Sequence, residues 1–372
     1  MRAGFRNPFL AGRAMDKITQ NCYNNFVVRI ASNYKLLTNF RIMKNKLVLG
    51  LIAVILIATG FWFFGQKPTP PTSEPLRISF HSWIGNGIYF IAKEKGFWDK
   101  EGLKVDLQQV DDNAVSKQLL SSNKIDGIMG WTPETIQVLA DSGVPMKVVF
   151  ATDVSDGADG IIAKEGINTL EDLKGKTLSF ESGSPSHLFL SYLLDQKNIP
   201  ISTIKTVNQT ASDAGAAFVA GQVDAAVTWE PWLTKANERK GGHILVSTKD
   251  LPILPALPAF RTEVIQNRPQ DVKAFMRGVF AAMDYVKSNP DESYEIIAKG
   301  YNLSKQEVVD QIPTFHWMNY QDNLKYFSQS SDPSVYSLVN KTGDLWLKLG
   351  LIKKSTNASS IVDDSLLKSI NK

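Results

Sequence analysis

Cysteine is nearly missing from this chain. Cys22 stands alone among 372 residues, so there is no internal disulfide, no cysteine-held metal cluster and no two-cysteine redox pair. Histidine is almost as scarce, and His81, His243 and His316 have no partner at metal-ligand spacing. They read as ordinary structural side chains. No Ser-His-Asp order, Gly-rich phosphate loop or HExxH run occurs either. These absences argue against an enzyme, and neither a metal nor a cofactor is expected. An excess of positive charge is also missing from most of the chain. The net charge of +4 is carried by residues 1–46, where nine Lys/Arg face Asp16 alone, so the remainder is acidic by about four charges. The folded part therefore offers no reason to expect nucleic-acid binding.

What the sequence does have begins with one long apolar run. Residues 47–65 (LVLGLIAVILIATGFWFFG) are uncharged and follow Lys44 and Lys46, the pattern of a signal or membrane anchor with its basic end inside. The basic extension 1–46 is either a cytoplasmic arm or lies upstream of a true start at Met43. No small-x-small cleavage pattern ends the run, and no cysteine follows it to take a lipid. An uncleaved anchor to the cytoplasmic membrane is the expectation, with residues 66–75 (QKPTPPTSEP) as a semi-extended tether and residues 76–372 in the periplasm or another extracytoplasmic space.

Beyond the tether, short apolar strands alternate with amphipathic helices. Strands are expected at 76–80, 103–110, 125–130 and 146–151, and helices at 86–95, 114–122 and 133–141, the last capped by Thr132. The cycle restarts with strands at 161–163, 177–180, 204–207 and 225–229. Helices intervene from Ser184-Pro185 to Lys197 and at 212–220, and Glu230-Pro231 reads as the opening of another. After Asn267 the pattern is nearly all helix. Strands spaced by helices imply mainly parallel sheets. The expected architecture is α/β, with lobe 1 at 76–155 and 253–372, lobe 2 at 156–252, and the C-terminal helices on lobe 1. Crossing segments near 152–160 and 250–258 would hinge the lobes.

An ordered set of motifs carries a family resemblance. They are Trp83-x-Gly85, Gly96-Phe97-Trp98-Asp99-Lys100-Glu101-Gly102-Leu103, Asp126-Gly127-Ile128-Met129-Gly130-Trp131, Gly157-Ala158-Asp159-Gly160-Ile161, Leu170-Glu171-Asp172-Leu173-Lys174-Gly175-Lys176, Glu181-Ser182-Gly183-Ser184-Pro185-Ser186-His187 and Trp229-Glu230-Pro231-Trp232. From Leu76 to about Phe327 the chain resembles the periplasmic receptors of nitrate/sulfonate/taurine ABC importers. The resemblance implies a two-lobe type II clamshell that hands a small solute to a permease driven by a cytoplasmic ATPase. It also resembles the pyrimidine-forming thiamine enzymes, whose cysteine-rich motif this chain lacks. An anchored sensor would need a signalling domain, and none is evident; a monomer is expected.

Ligands of such folds sit where strands end and helices begin. That rule selects Trp83, Asn86, Trp131 and Thr132 from the first lobe. From the second come Asp159, Glu181, Ser184, His187, Trp229 and Glu230. Each has a plainer reading: the indoles as packing, His187 as a helix-cap partner, and Asp159 and Glu230 as acids complementing helix dipoles. Trp232 falls where a helix packs and is left out. These ten residues include three acids and three indoles but no Lys or Arg. Paired carboxylates accept hydrogen bonds, and desolvated indole faces attract cations by up to about 2 kcal/mol. A small nitrogenous cation such as guanidinium is favoured, with nitrate, an aliphatic sulfonate or taurine as the alternative.

Overall fold

The computed structural model describes residues 74–249, 251–331 and 333–370. The expected basic extension, the apolar run at 47–65 and the tether up to residue 73 lie outside the described residues. Among the described residues, no helix is long and apolar enough to cross a membrane.

Two five-stranded sheets organise the chain. The first is built from β1 (Leu76–Phe80), β2 (Val105–Gln109), β3 (Gly127–Met129) and β4 (Met146–Val148), with β12 (Ala259–Arg261) arriving late in the chain. Its order is β2-β1-β3-β12-β4. The second is built from β6 (Asp159–Ala163), β7 (Thr177–Phe180), β8 (Lys205–Asn208), β9 (Ala225–Trp229) and β10 (His243–Ser247), in the order β10-β6-β9-β7-β8. Between them, β5 (Asp153–Ser155) pairs antiparallel with β11 (Pro255–Ala256) and with β13 (Phe315–Trp317). In this three-stranded ribbon, β5 and β11 fall in the two segments expected to cross between lobes, and β13 comes from the later helical region.

The sheets are mixed rather than mainly parallel. β1 runs parallel to β2 and β3, and β7 runs parallel to β8 and β9. In contrast, β12 is antiparallel to β3 and β4, and β6 is antiparallel to β9 and β10. Both β6 and β12 are the first strands after a passage through the ribbon, so each enters its sheet from the ribbon side. A strand that follows a covering helix enters from the opposite end.

The covering helices are α1 (Gly87–Glu94), α2 (Asn113–Ser121), α3 (Pro133–Asp141), α4 (Pro185–Gln196), α5 (Ala211–Val219), α6 (Pro269–Ser288), α7 (Pro290–Tyr301) and α8 (Val335–Lys348). Local chemistry explains several starts. Asp112 caps α2 by accepting from Ala114 N and Val115 N at 2.8 and 2.9 Å. Pro185 and Pro269 occupy the first helical turn, where a missing N–H costs nothing. The expected helix at Glu230-Pro231 does not form. A 3-10 turn begins only at Thr234, and Glu230 caps it, its carboxylate accepting from Thr234 N and Oγ1 at 3.0 Å.

The C-terminal segment does more than cover the first sheet. α6 and α7 pack on α1, as expected of helices on lobe 1, and Phe275 stacks on Trp98. α8 meets α3 through Gln137, which donates to Val339 O and Thr356 O. Its Leu338 and Trp346 join the core of the second sheet beside Leu188, Phe189 and Leu190 of α4. α8 thus bridges the helical layers of both sheets.

Beneath the ribbon, fully buried Asn323 accepts from Ala151 N at 2.7 Å and donates to the carbonyls of Ala151, Met318 and Asn319. Asn323→Ala would take these bonds away and leave Ala151 N, among others, without its side-chain partner, although Asn319 O keeps the Asn323 N–H; a loss of about 2–4 kcal/mol in urea unfolding is expected.

Candidate functional site

The edge between the two sheets is where the functional side chains gather. Asp159 opens β6 and lies opposite Trp229, the last residue of β9. Asp153 opens β5 in the ribbon, and Trp83 follows β1. Trp83, Asp153, Asp159 and Trp229 line one small chamber with His81, Gly130, Thr132, Ser155, Pro185, Leu254 and Ala256. Its volume is about 20 Å³, far below the 300–1,000 Å³ of drug-sized sites. That is room for about one water molecule. His81, Pro185 and Trp229 also border an outer vestibule of about 400 Å³ lined by Asp111, Asp112, Asn113 and Glu181. No Lys or Arg lines either space.

The hydrogen bonds around the chamber have a consistent sense. Trp83 Nε1 donates to Asp153 Oδ1 at 2.8 Å, and Asp153 Oδ2 is buried without a partner. Gly85 permits that approach, because a Cβ there would lie 2.5 Å from Asp153 Oδ2 and from Trp83 Nε1. Thr132 Oγ1 donates to Glu134 Oε1 at 2.5 Å. Thr248 Oγ1 accepts from Gly157 N at 2.8 Å and lies 2.7 Å from Ser155 Oγ. Either hydroxyl can be the donor in that pair, and Ser155 also lowers the pKa of Asp159. His81 Nε2 lies 2.8 Å from Gly130 O, and its Nδ1 accepts from Trp83 N at 3.3 Å. The imidazole is thus neutral with its proton on Nε2, and desolvation lowers its pKa. The donors of Trp83, His81, Thr132 and Ser155 are engaged, while carboxylate and hydroxyl oxygens remain available.

Burial dominates the electrostatics. Desolvation pushes both Asp153 and Asp159 up to about 7, each relieved in part by its hydrogen bond. Asp159 raises Asp153 further, and Glu134 and Glu230 do the same to Asp159. No Lys or Arg offsets these acids within the chamber wall, and its one imidazole, His81, is held neutral.

The residues expected from sequence divide into those that reach this place and those that do not. Trp83, Thr132, Asp159 and Trp229 line the chamber, and Glu181 lines the vestibule, accepting from Asn113 Nδ2 at 2.6 Å across the cleft. Five others lie elsewhere. Asn86 is fully buried behind the wall and donates to His81 O. Trp131 packs edge-on against His81 at 5.3 Å, 1% exposed. Ser184 turns its hydroxyl back to Glu181 O, and His187 accepts from Gly183 N while packing on Phe180 and Trp346. Glu230 is the turn cap already described. Thr132 lines the chamber but gives no side-chain cap to α3.

Sequence reasoning missed Asp153, Ser155, Leu254 and Ala256 on the ribbon, and His81. Asp153 had a usable signal: it is a lone acid in Phe150-Ala151-Thr152-Asp153-Val154, an otherwise apolar run inside the expected crossing segment.

A family model described as NMT1/THI5 like matches residues 85–293. A Bacillus subtilis (strain 168) protein named for aliphatic-sulfonate binding is 25% identical over 333 residues, covering 88% of this chain and 96% of its own. The crystal structure of the periplasmic aliphatic sulphonate binding protein of Escherichia coli superposes with a TM-score of 0.67 at 22% identity, covering 80% of this chain and all of that one. The periplasmic nitrate-binding protein of Synechocystis PCC 6803 gives a TM-score of 0.66 at 16% identity over 81% and 89% of the two chains. Both superpositions show the periplasmic binding-protein fold.

The buried acids make a stability prediction. Each carboxylate binds its proton more tightly folded than unfolded, so its stabilising contribution is complete below pH ~4 and is lost as pH rises through about 7. In solute-free protein, Asp153→Asn is therefore expected to raise stability at pH 8 by at least ~1.4 kcal/mol, the worth of one pKa unit. The gain should shrink toward pH 4. Thermal unfolding across that range checks it; identical profiles for mutant and wild type would refute the assignment.

Proposed function

The chain belongs to the NMT1/THI5-like family, and from that premise we propose that it is the extracytoplasmic solute-binding component of an ABC importer, taking a small planar nitrogenous cation of the guanidinium kind. The observation that carries the ligand class is the unpartnered, buried Asp153 Oδ2 in a chamber shared with Asp159 and lacking any Lys or Arg. A buried carboxylate without a partner costs several kcal/mol. A cation with an N–H on every edge would satisfy both acids and meet the indoles of Trp83 and Trp229. The solute would enter between the sheets, the cleft would close by motion at the ribbon, and the closed form would dock on a permease.

One observation favours the alternative, an oxyanion such as nitrate, an aliphatic sulfonate or taurine. The N-terminal end of α4 reaches the chamber at Pro185, and helix N-termini attract anions. Pro185, however, brings no N–H, and two buried acids would repel the charge.

Calorimetric titration with guanidinium, urea, nitrate and taurine separates the readings. Guanidinium is expected to bind at micromolar Kd or tighter, about −8 kcal/mol, and Asp159→Asn to abolish the heat. Because protons compete for both acids, affinity should fall as pH drops below about 7, by roughly tenfold per unit for one displaced proton. Tight nitrate or taurine binding that survives Asp159→Asn would sink the cation reading.

A further inference from the structure

Resting on the cation reading, we propose that Glu134 is a specificity-determining positioning residue: by holding the hydroxyl proton of Thr132, it makes the first-sheet wall of the chamber an acceptor and so excludes solutes that carry a carbonyl or oxyanion. Glu134 does not line the chamber. It is the second residue of α3, fully buried, one layer behind Thr132.

Its Oε1 accepts from Thr132 Oγ1 at 2.5 Å and from Thr135 Oγ1 at 3.2 Å, while its Oε2 is buried without a partner. A buried carboxylate that leaves one oxygen dry is costly to keep. Thr132 makes no cap hydrogen bond to the helix; Glu134 is the acid of the first turn, where its own backbone N–H lowers its pKa, and neither fact accounts for its bond to Thr132. What the arrangement accomplishes is directional. A threonine hydroxyl has one proton and two lone pairs. With the proton fixed on Glu134, the oxygen at the chamber wall can only receive. Desolvation raises the Glu134 pKa, the Thr132 bond opposes that rise, and Lys117 on α2 acts in the same sense as that bond.

A donor-only solute loses nothing at such a wall. Urea has nearly the same shape as guanidinium but presents a carbonyl oxygen, which would face the oxygens of Thr132, Asp153 and Asp159. Sites that leave buried polar groups unpaired reject the wrong isostere strongly. Glu134 would thus separate two solutes that packing alone cannot.

The test is the ratio of guanidinium to urea affinity, measured calorimetrically on the purified protein. Glu134→Met removes the acceptor at similar length, frees the Thr132 proton, and is expected to shrink the ratio by about tenfold or more. Glu134→Gln keeps a carbonyl for Thr132 and should preserve the ratio, which a purely electrostatic role would not. If Glu134→Met does not fold, Thr132→Val decides: it should weaken guanidinium by about tenfold, and an unchanged affinity overturns the inference. A folded Glu134→Met with an unchanged ratio overturns it too, as does a Glu134→Gln that shifts the ratio as far as Met. A wild-type protein that takes urea or nitrate and ignores guanidinium overturns the cation reading as well, which distinguishes the two failures.

Discussion

Two carboxylates held out of water with no Lys or Arg beside them set the terms for the cleft. Asp153 and Asp159 come from different parts of the architecture, one from the ribbon and one from the second sheet. Each is fixed by a donor from a neighbour: Trp83, which follows the first sheet's β1, for Asp153, and Ser155 on the ribbon for Asp159. Three bodies of structure therefore meet at a charge cluster that is unfavourable when empty. Such a cluster persists only if the surrounding fold over-determines it. The ribbon does so, with β5 paired on both sides and its Ser155 tied to Thr248 beyond β10. An empty site that is costly and a filled one that is not is the condition under which a solute biases a clamshell toward closure.

The C-terminal helices constrain how that closure can happen. α6 and α7 belong wholly to the first sheet's core, but α8 has Gln137 on one side and the α4 core on the other. Lys348 adds a 2.5 Å ion pair to Asp195 of α4. Opening the cleft must therefore either carry α8 with one layer or slide it along both. A surface groove of about 690 Å³ runs between α4, α8 and residues 251–253, beside the contact that buries Trp346 and Leu338 against α4.

Much of this was legible in the residues and some was not, for physical reasons. Strands such as Leu76–Phe80, Thr177–Phe180 and Ala225–Trp229 were readable because buried strands are short apolar runs bounded by turns. Strand direction was not, because it depends on which end of a sheet the chain re-enters, and no local pattern encodes that. Glu230 misled because an acid before a proline looks the same whether the following residues form a helix or a turn. Asn86 and Trp131 are polar or amphipathic residues in motif segments, yet they hold His81 of the chamber wall from behind, and His187 packs away from the chamber on Phe180 and Trp346. Proximity to a strand end places a side chain near a cleft without deciding which of its neighbours reaches the surface. Asp153 shows the converse. Its strand is only three residues long and pairs with segments about 100 and 160 positions away, so its placement is a tertiary fact.

The same scaffold carries relatives named for sulfonate and nitrate, which bear the opposite charge to a guanidinium ion. That is no contradiction, because fold fixes where a ligand sits and side chains fix what it is. The strand ends and the α4 N-terminus deliver backbone to the same point in any such clamshell, and backbone offers both donors and acceptors. Selection then falls to the few side chains that project inward. In this chain they are acids, two indoles, a neutral imidazole and hydroxyls, with the Trp83 and Thr132 protons already engaged and a proline where α4 would otherwise offer its first amide. Changing an oxyanion site into a cation site does not require a new fold or even a new pocket. It requires that the donors be removed or turned away and that buried acids replace them, and the hydrogen-bond directions around Asp153, Asp159 and Thr132 all run in that sense.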